Sequence, residues 1–177
     1  SDDRGLMYAE LVAGVLSSLR PTDETIEERA WSRLDSLTKP PRSLGRLEGV
    51  AVRLARIQGT PHPDVDYRTI VVAAADHGVV AQGVSPYPQD VTRQMVANFV
   101  AGGAAINQLA SSVDAELWLV DVGVAGDVDG FDEVRHAKVA RGTRDMTLGP
   151  AMTREEAAQA VMVGVKVVRE AAAERVR

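Results

Sequence analysis

The chain of 177 residues has no cysteine, which excludes disulfides, a thiolate nucleophile and cysteine-ligated metal. Aromatic residues make up only 4% of it, so packing falls to aliphatic side chains. No apolar run approaches the ~20 residues needed to span a bilayer, and the opening Ser1, Asp2, Asp3 and Arg4 lack a signal-peptide pattern. A cytoplasmic chain with no membrane partner is expected. Clustered positive charge is also missing. The net charge is −5, and the 20 basic residues, only three of them lysine, are scattered along the chain. Nucleic acid is therefore not an expected partner, because phosphate neutralisation needs grouped cations.

What is present is a hydrophobic fraction of 45%, enough for one good core. Helical apolar spacing marks residues 6–19, with Leu11, Val15 and Leu19 at intervals of four, and a second helix is expected over 23–34. A third is expected over 44–57, where Leu47, Val50, Leu54 and Ile57 make one stripe. Pro40 and Pro41 forbid helix between the second and third. The three helices read as an N-terminal helical lobe over 1–59, and residues 59–63 read as a linker into an α/β domain over 60–177.

In that domain Ile70, Val71, Val72, Ala73, Ala74 and Ala75 lack the alternation of a half-exposed strand, which predicts a strand covered on both faces. A parallel sheet flanked by helices follows. Pro88 suits the first turn of a helix over 88–99. Residues 117–122 read as the next buried strand, ending at Asp121 and Gly123, which completes a βαβ unit. A short strand is expected at 138–140. Thr153 and Glu156 then have capping-box spacing, opening a helix that runs to near Glu174.

Five segments occur in one order: residues 34–48 around Lys39, Pro40, Pro41, Arg42 and Ser43; residues 76–92, beginning Asp76, His77, Gly78; Gly102, Gly103, Ala104, Ala105, Ile106 and Asn107; Val120, Asp121, Val122, Gly123 and Val124; and Arg141, Gly142, Thr143, Arg144, Asp145 and Met146 with residues 149–153. Together they resemble the nicotinate-nucleotide:dimethylbenzimidazole phosphoribosyltransferase family, from about Trp31 to the end of the chain. The resemblance implies an α/β fold with a parallel Rossmann-like sheet flanked by helices and an N-terminal helical lobe. It also implies transfer of the phosphoribosyl group of nicotinate mononucleotide onto 5,6-dimethylbenzimidazole, with no cofactor and no metal, by a homodimer. Two departures stand out. Arg42 occupies a position where the family usually has glycine, and the chain stops before a Gly-rich phosphate segment and a late glutamate assigned as general base. It is therefore read as an N-terminal portion with no catalytic residue assigned.

The candidate site lies after the first strand, since ligands in open α/β sheets sit beyond the carboxyl ends of strands. Asp76, His77 and Gly78 form either a plain turn or part of the site. Tyr87, Val91 and Met95 fall within roughly an 80° arc of a helix. They make either a slot for a flat, mostly apolar benzimidazole or simply core; the resemblance places the positions of Tyr87 and Met95 at the base pocket. Ser85 bonds a ligand edge or caps the helix. Asp76 and Asp121 bind ribose hydroxyls or hold loop amides, and His77 orients substrate or donates to a backbone carbonyl. Gly123 borders the second strand's end. Arg141, Gly142 and Thr143 carry part of a phosphate contact or form a strand end and turn. His62 and His136 read as surface residues.

Two alternatives of other classes stay open. One is a non-catalytic benzimidazole-binding module. The other is a metal-dependent hydrolase using Asp76, His77, Asp121 and His136.

Overall fold

The structure, a computed structural model, describes residues 2–174, with side chains from residue 7 onward. The elements in chain order are α1 (Asp2–Ser18), α2 (Glu24–Ser36), α3 (Arg46–Gln58), β1 (Thr69–Ala75), a 3-10 turn (Gly78–Gln82), α4 (Asp90–Val100), α5 (Ala105–Ser112), β2 (Glu116–Gly123), β3 (Val134–His136) and α6 (Arg154–Glu174). Contacts group the chain into two units, residues 18–66 and residues up to 17 together with 67–177. Among the described residues no helix is long and apolar enough to cross a membrane.

In the unit of residues 18–66, α2 begins where Asp23 Oδ1 accepts the Thr25 N–H at 2.9 Å, capping an orphan donor. The helix α3 ends at Gly59, which takes the left-handed φ of +66°. The two helices pack through Ile26, Ala30 and Leu34 against Val52 and Ala55. The stripe expected to be core on α3 is turned outward: Leu47, Val50 and Ile57 are exposed, and Glu48 is buried in their stead. That carboxylate is taken up by Lys39, whose Nζ lies 2.7 Å from Oε1, and by the Leu44 N–H at 3.3 Å. The intervening turn contains Arg42 at φ +62°, a left-handed residue. Its guanidinium stacks 3.6 Å over the Trp31 ring and meets Asp35 at 3.5 Å. The position at which the family resemblance expects glycine thus keeps a glycine-like backbone. Leu11 on α1 and Leu19 just past its end are exposed, and the side chain of Leu6 lies outside those described.

The sheet of the other unit is parallel, in the order β1-β2-β3. Helices α4 and α5 supply the crossover from β1 to β2. The second strand, β2, is covered on both faces. Leu119 joins Val96, Val124, Val128 and Val134 on one side; Trp118 and Val120 join Val167 of α6 on the other. The expected two-sided cover fails for β1, which is an edge strand with Val71 43% exposed. Periodicity cannot separate the two cases, because an uninterrupted apolar run carries no record of which neighbours arrive.

The third strand lies at Val134–His136 rather than at 138–140. Val134 is its buried anchor, and the polar Arg135 and His136 hide the strand pattern. Backbone pairing still continues past it, with the Val139 N–H donating to the Val122 carbonyl at 2.8 Å. The helix α4 begins at Asp90, two residues after Pro88, whose carbonyl accepts the Val91 N–H at 3.1 Å in a tighter first turn. Helix α5 has no counterpart among the elements expected from sequence. It is short, and it is tied to α4 by Asn107, which accepts from the Ala104 N–H at 3.2 Å and donates to the Phe99 carbonyl at 2.9 Å. The capping box on α6 forms as its spacing predicts: Glu156 N–H donates to Thr153 Oγ1 at 3.1 Å, and Thr153 N–H to Glu156 Oε2 at 2.6 Å.

Candidate functional site

Beyond the carboxyl end of β1 the chain turns through His77 into the 3-10 turn and then into α4, and a cleft of about 720 Å³ opens between these segments. Tyr87, Val91 and Met95 line it together. Tyr87 is 66% exposed and Met95 37%, whereas Val91 is half-buried and Val96, the buried residue of α4, borders the cleft from the core side. The stripe is therefore a wall of the cleft, not core. Phe99 extends the same interval of four, and it both lines the cleft and packs against the core around Val96 and Leu119. Ser85 borders the cleft too. Its Oγ accepts the Tyr87 N–H at 3.1 Å, which shapes the turn carrying the tyrosine and does not cap α4.

The remaining expected residues divide. Asp76 and His77 line both the cleft and a smaller, apolar cavity of about 190 Å³ on the far side, which Gly123, Gly142 and Thr143 also border. Gly78, Asp121 and Arg141 line neither. Their positions follow from how the chain closes up at this end of the sheet. After β2 the chain leaves the sheet, and residues 141–144 cross to pair with the extension of β1 in a parallel bridge between His77 and Thr143. Thr143 N–H donates to the Asp76 carbonyl at 3.0 Å and Gly78 N–H to the Thr143 carbonyl at 3.0 Å. Such closeness needs glycine at Gly78, where a Cβ would stand 2.6 Å from the Arg144 carbonyl carbon and the Asp145 nitrogen. Gly142, at φ +86°, passes the Asp76 backbone in the same way. The His77 ring meets a hydroxyl, Nδ1 lying 3.4 Å from Thr143 Oγ1, and not the backbone carbonyl that was one of the two roles open to it.

The acidic and basic side chains here hold the loop of residues 124–127. Asp121, 1% exposed, accepts the Val124 N–H at 2.8 Å, and Asp76, 4% exposed, accepts the Ala125 N–H at 2.7 Å. Lys138 pairs with Asp121 at 3.2 Å and donates to the Val124 and Gly126 carbonyls at 2.8 and 3.1 Å. Arg141 donates to the Ala125 carbonyl at 2.9 Å, and Arg93 to that of Asp127 at 2.8 Å. Both aspartates thus hold loop amides, which is one of the two roles open to them. The hydrolase alternative lacks a donor set, since among the described residues no three of His, Asp and Glu come together to hold a metal. His136 lies 3.8 Å from Asp129.

Comparison with known proteins places this geometry. A family model described as phosphoribosyltransferase matches residues 19–177. The nicotinate-nucleotide–dimethylbenzimidazole phosphoribosyltransferase of Thermus thermophilus is 52% identical over 152 residues, covering 86% of this chain and 45% of its own length. That of Solidesulfovibrio magneticus is 48% identical over 170 residues, 96% of this chain and 48% of its own. A crystal structure of the Thermus thermophilus phosphoribosyltransferase superposes with a TM-score of 0.80 over 86% of this chain and 46% of that one.

The chain belongs to the nicotinate-nucleotide–dimethylbenzimidazole phosphoribosyltransferase family. It spans about half the length of the curated relatives it matches. Within this phosphoribosyltransferase fold, sequence reasoning missed Gln82 and Met146. Met146 lines the cleft, and Gln82 bonds to the adjacent Asp145. No local signal marks either one, because their relevance comes from two loops meeting in space.

Proposed function

We propose that this chain binds 5,6-dimethylbenzimidazole in the cleft beside α4 and takes part in moving the phosphoribosyl group of nicotinate mononucleotide onto it. The observation that carries the reading is the stripe of Tyr87, Val91 and Met95 on the cleft wall, with Tyr87 and Met95 exposed. An aromatic ring, a branched aliphatic and a thioether suit a flat, weakly polar heterocycle. Family membership supports the rest.

In the reaction a ring nitrogen of the base attacks C1 of the ribose and the bond from C1 to the nicotinate nitrogen breaks. α-Ribazole phosphate and nicotinate are released, and the proton on the attacking ring system is lost to a general base. A slot that holds the ring in line with C1 lowers the barrier through orientation. Asp76, His77 and Ser85 border that slot, while Gly123, Gly142 and Thr143 border the smaller cavity behind it. Asp121, Gly78 and Arg141 act indirectly, by fixing the loop and the crossing segment. No residue of the chain is assigned as general base. The protein works as a cytoplasmic homodimer, a reading supported by the outward apolar stripe of Leu47, Val50 and Ile57.

Titration calorimetry with 5,6-dimethylbenzimidazole, paired with an assay for nicotinate release from nicotinate mononucleotide, tests the proposal. Binding with release supports the transferase. Binding without release points to the non-catalytic module, and neither would overturn both.

A further inference from the structure

Gln82 closes the 3-10 turn on one side of the cleft, and its Nε2 donates to Asp145 Oδ2 at 2.6 Å across 63 residues of sequence. The other oxygen of Asp145 accepts from Thr147 twice, from the backbone N–H at 2.9 Å and from the hydroxyl at 2.8 Å. Leu148 N–H donates to the Asp145 carbonyl at 3.1 Å, which completes a tight turn. Met146 sits inside that turn and lines the cleft with Tyr87 and Met95, although it is 59% exposed and no core cluster holds it. The turn is anchored upstream by the His77–Thr143 bridge and by Arg144, which bonds to Glu156 at 2.9 Å. Gln82 fastens its near end to the wall that faces the helix.

We propose that Met146 is a specificity-determining residue of the cleft and that Gln82, acting through Asp145, is the residue that positions it. This inference rests on the reading that the cleft holds a benzimidazole. Stiffness is what Gln82 contributes. An unbranched methionine on an exposed turn has several rotamers and contributes a defined contact only if its backbone is held. The bond from Gln82 to a carboxylate supplies that hold, being stronger and more directional than a neutral one. With the turn fastened, the thioether borders one side of the slot and sets how much bulk a planar ring carries there. With it released, the slot loses that border and discriminates less between rings of different size.

The test measures affinities of the chain for 5,6-dimethylbenzimidazole and for unsubstituted benzimidazole by calorimetry, in the wild type, Gln82→Ala, Met146→Ala and the double variant. Gln82→Glu, which sets two carboxylates against each other, breaks the same bond without shortening the side chain. Thermal melts accompany each. The expected result is that Met146→Ala reduces the preference for the dimethylated ring about five-fold, and that both Gln82 variants do the same with little change in melting. The double variant should match Met146→Ala alone, because a residue that works only through the methionine has nothing left to act on. The inference is overturned if the Gln82 variants keep the wild-type preference, or if their effect adds in full to that of Met146→Ala. A wild type that binds neither ring would overturn the base-slot reading itself and this inference with it.

Discussion

Asp121 and Asp76 grip consecutive amides of one loop, Val124 N–H at 2.8 Å and Ala125 N–H at 2.7 Å, from the ends of adjacent strands. Two carboxylates near a ligand cleft invite assignment as substrate ligands. Here their hydrogen bonds are with the protein itself. Asp121→Ala leaves Lys138 with two carbonyls but no carboxylate and the Val124 amide without an acceptor, and should cost about 3 kcal/mol. Asp76→Ala removes one charge-assisted bond and should cost roughly 1.5–3 kcal/mol. Urea unfolding gives these values, and hydrogen exchange at Val124 and Ala125 should quicken in both variants. A variant of full stability that loses only ligand affinity would reverse the assignment.

Tyr87 and Met95 should behave in the opposite way. Both stand on the cleft wall with much of their surface in solvent, so Tyr87→Ala and Met95→Ala are expected to change stability by no more than about 0.5 kcal/mol. Each should weaken 5,6-dimethylbenzimidazole binding about ten-fold, the usual loss when an aromatic or thioether contact to a ligand is truncated. Melting and calorimetry on the same samples separate the two quantities. Destabilisation of several kcal/mol would return the stripe to the core.

Arg42 offers a test of backbone strain. A left-handed φ of +62° costs a non-glycine residue roughly 1–2 kcal/mol, and stacking on Trp31 recovers roughly 0.5–1 kcal/mol. Arg42→Ala keeps the strain and loses the stacking, so it should be the less stable variant. Arg42→Gly loses both and should lie close to wild type, about 1 kcal/mol above the alanine variant. Equal melting of the two would mean that the turn relaxes out of the left-handed region.

The Lys39–Glu48 pair should make the unit of residues 18–66 sensitive to acid. The hydrogen bond from Lys39 holds the Glu48 carboxyl below the ordinary glutamate range, against the opposing push of burial. A depressed folded-state value means that the carboxylate stabilises the fold above its unfolded-state value. The contribution is lost as pH falls through the folded-state one. Urea midpoints measured from about pH 6 down to about pH 3 should therefore decline, and Lys39→Met should flatten that part of the curve while lowering the midpoint near neutrality. An unchanged slope in the variant would place the acid sensitivity elsewhere.

The features legible in the chain are those set by local physics. The starts and stops of α2 and α3, the prolines between them, the capping box of Thr153 and Glu156 and the buried run of β2 depend on interactions within a turn or two. So does the shared face of Val91 and Met95, which follows from helical spacing, whereas Tyr87 reaches the same wall from the turn before α4. Family membership was legible for a different reason, as several linked motifs in one order leave little room for coincidence.

Tertiary structure decided which of two apolar faces on α3 is covered, that β1 is an edge, and that Asp76 and Asp121 hold a loop. It alone brought Gln82 to Asp145. Helix and strand patterns state that a face is apolar but not which surface meets it, and a carboxylate carries no local mark of which amide it will accept from. Those choices are settled by where distant segments arrive, because each buried polar group takes the partner that the packed chain puts within hydrogen-bonding distance.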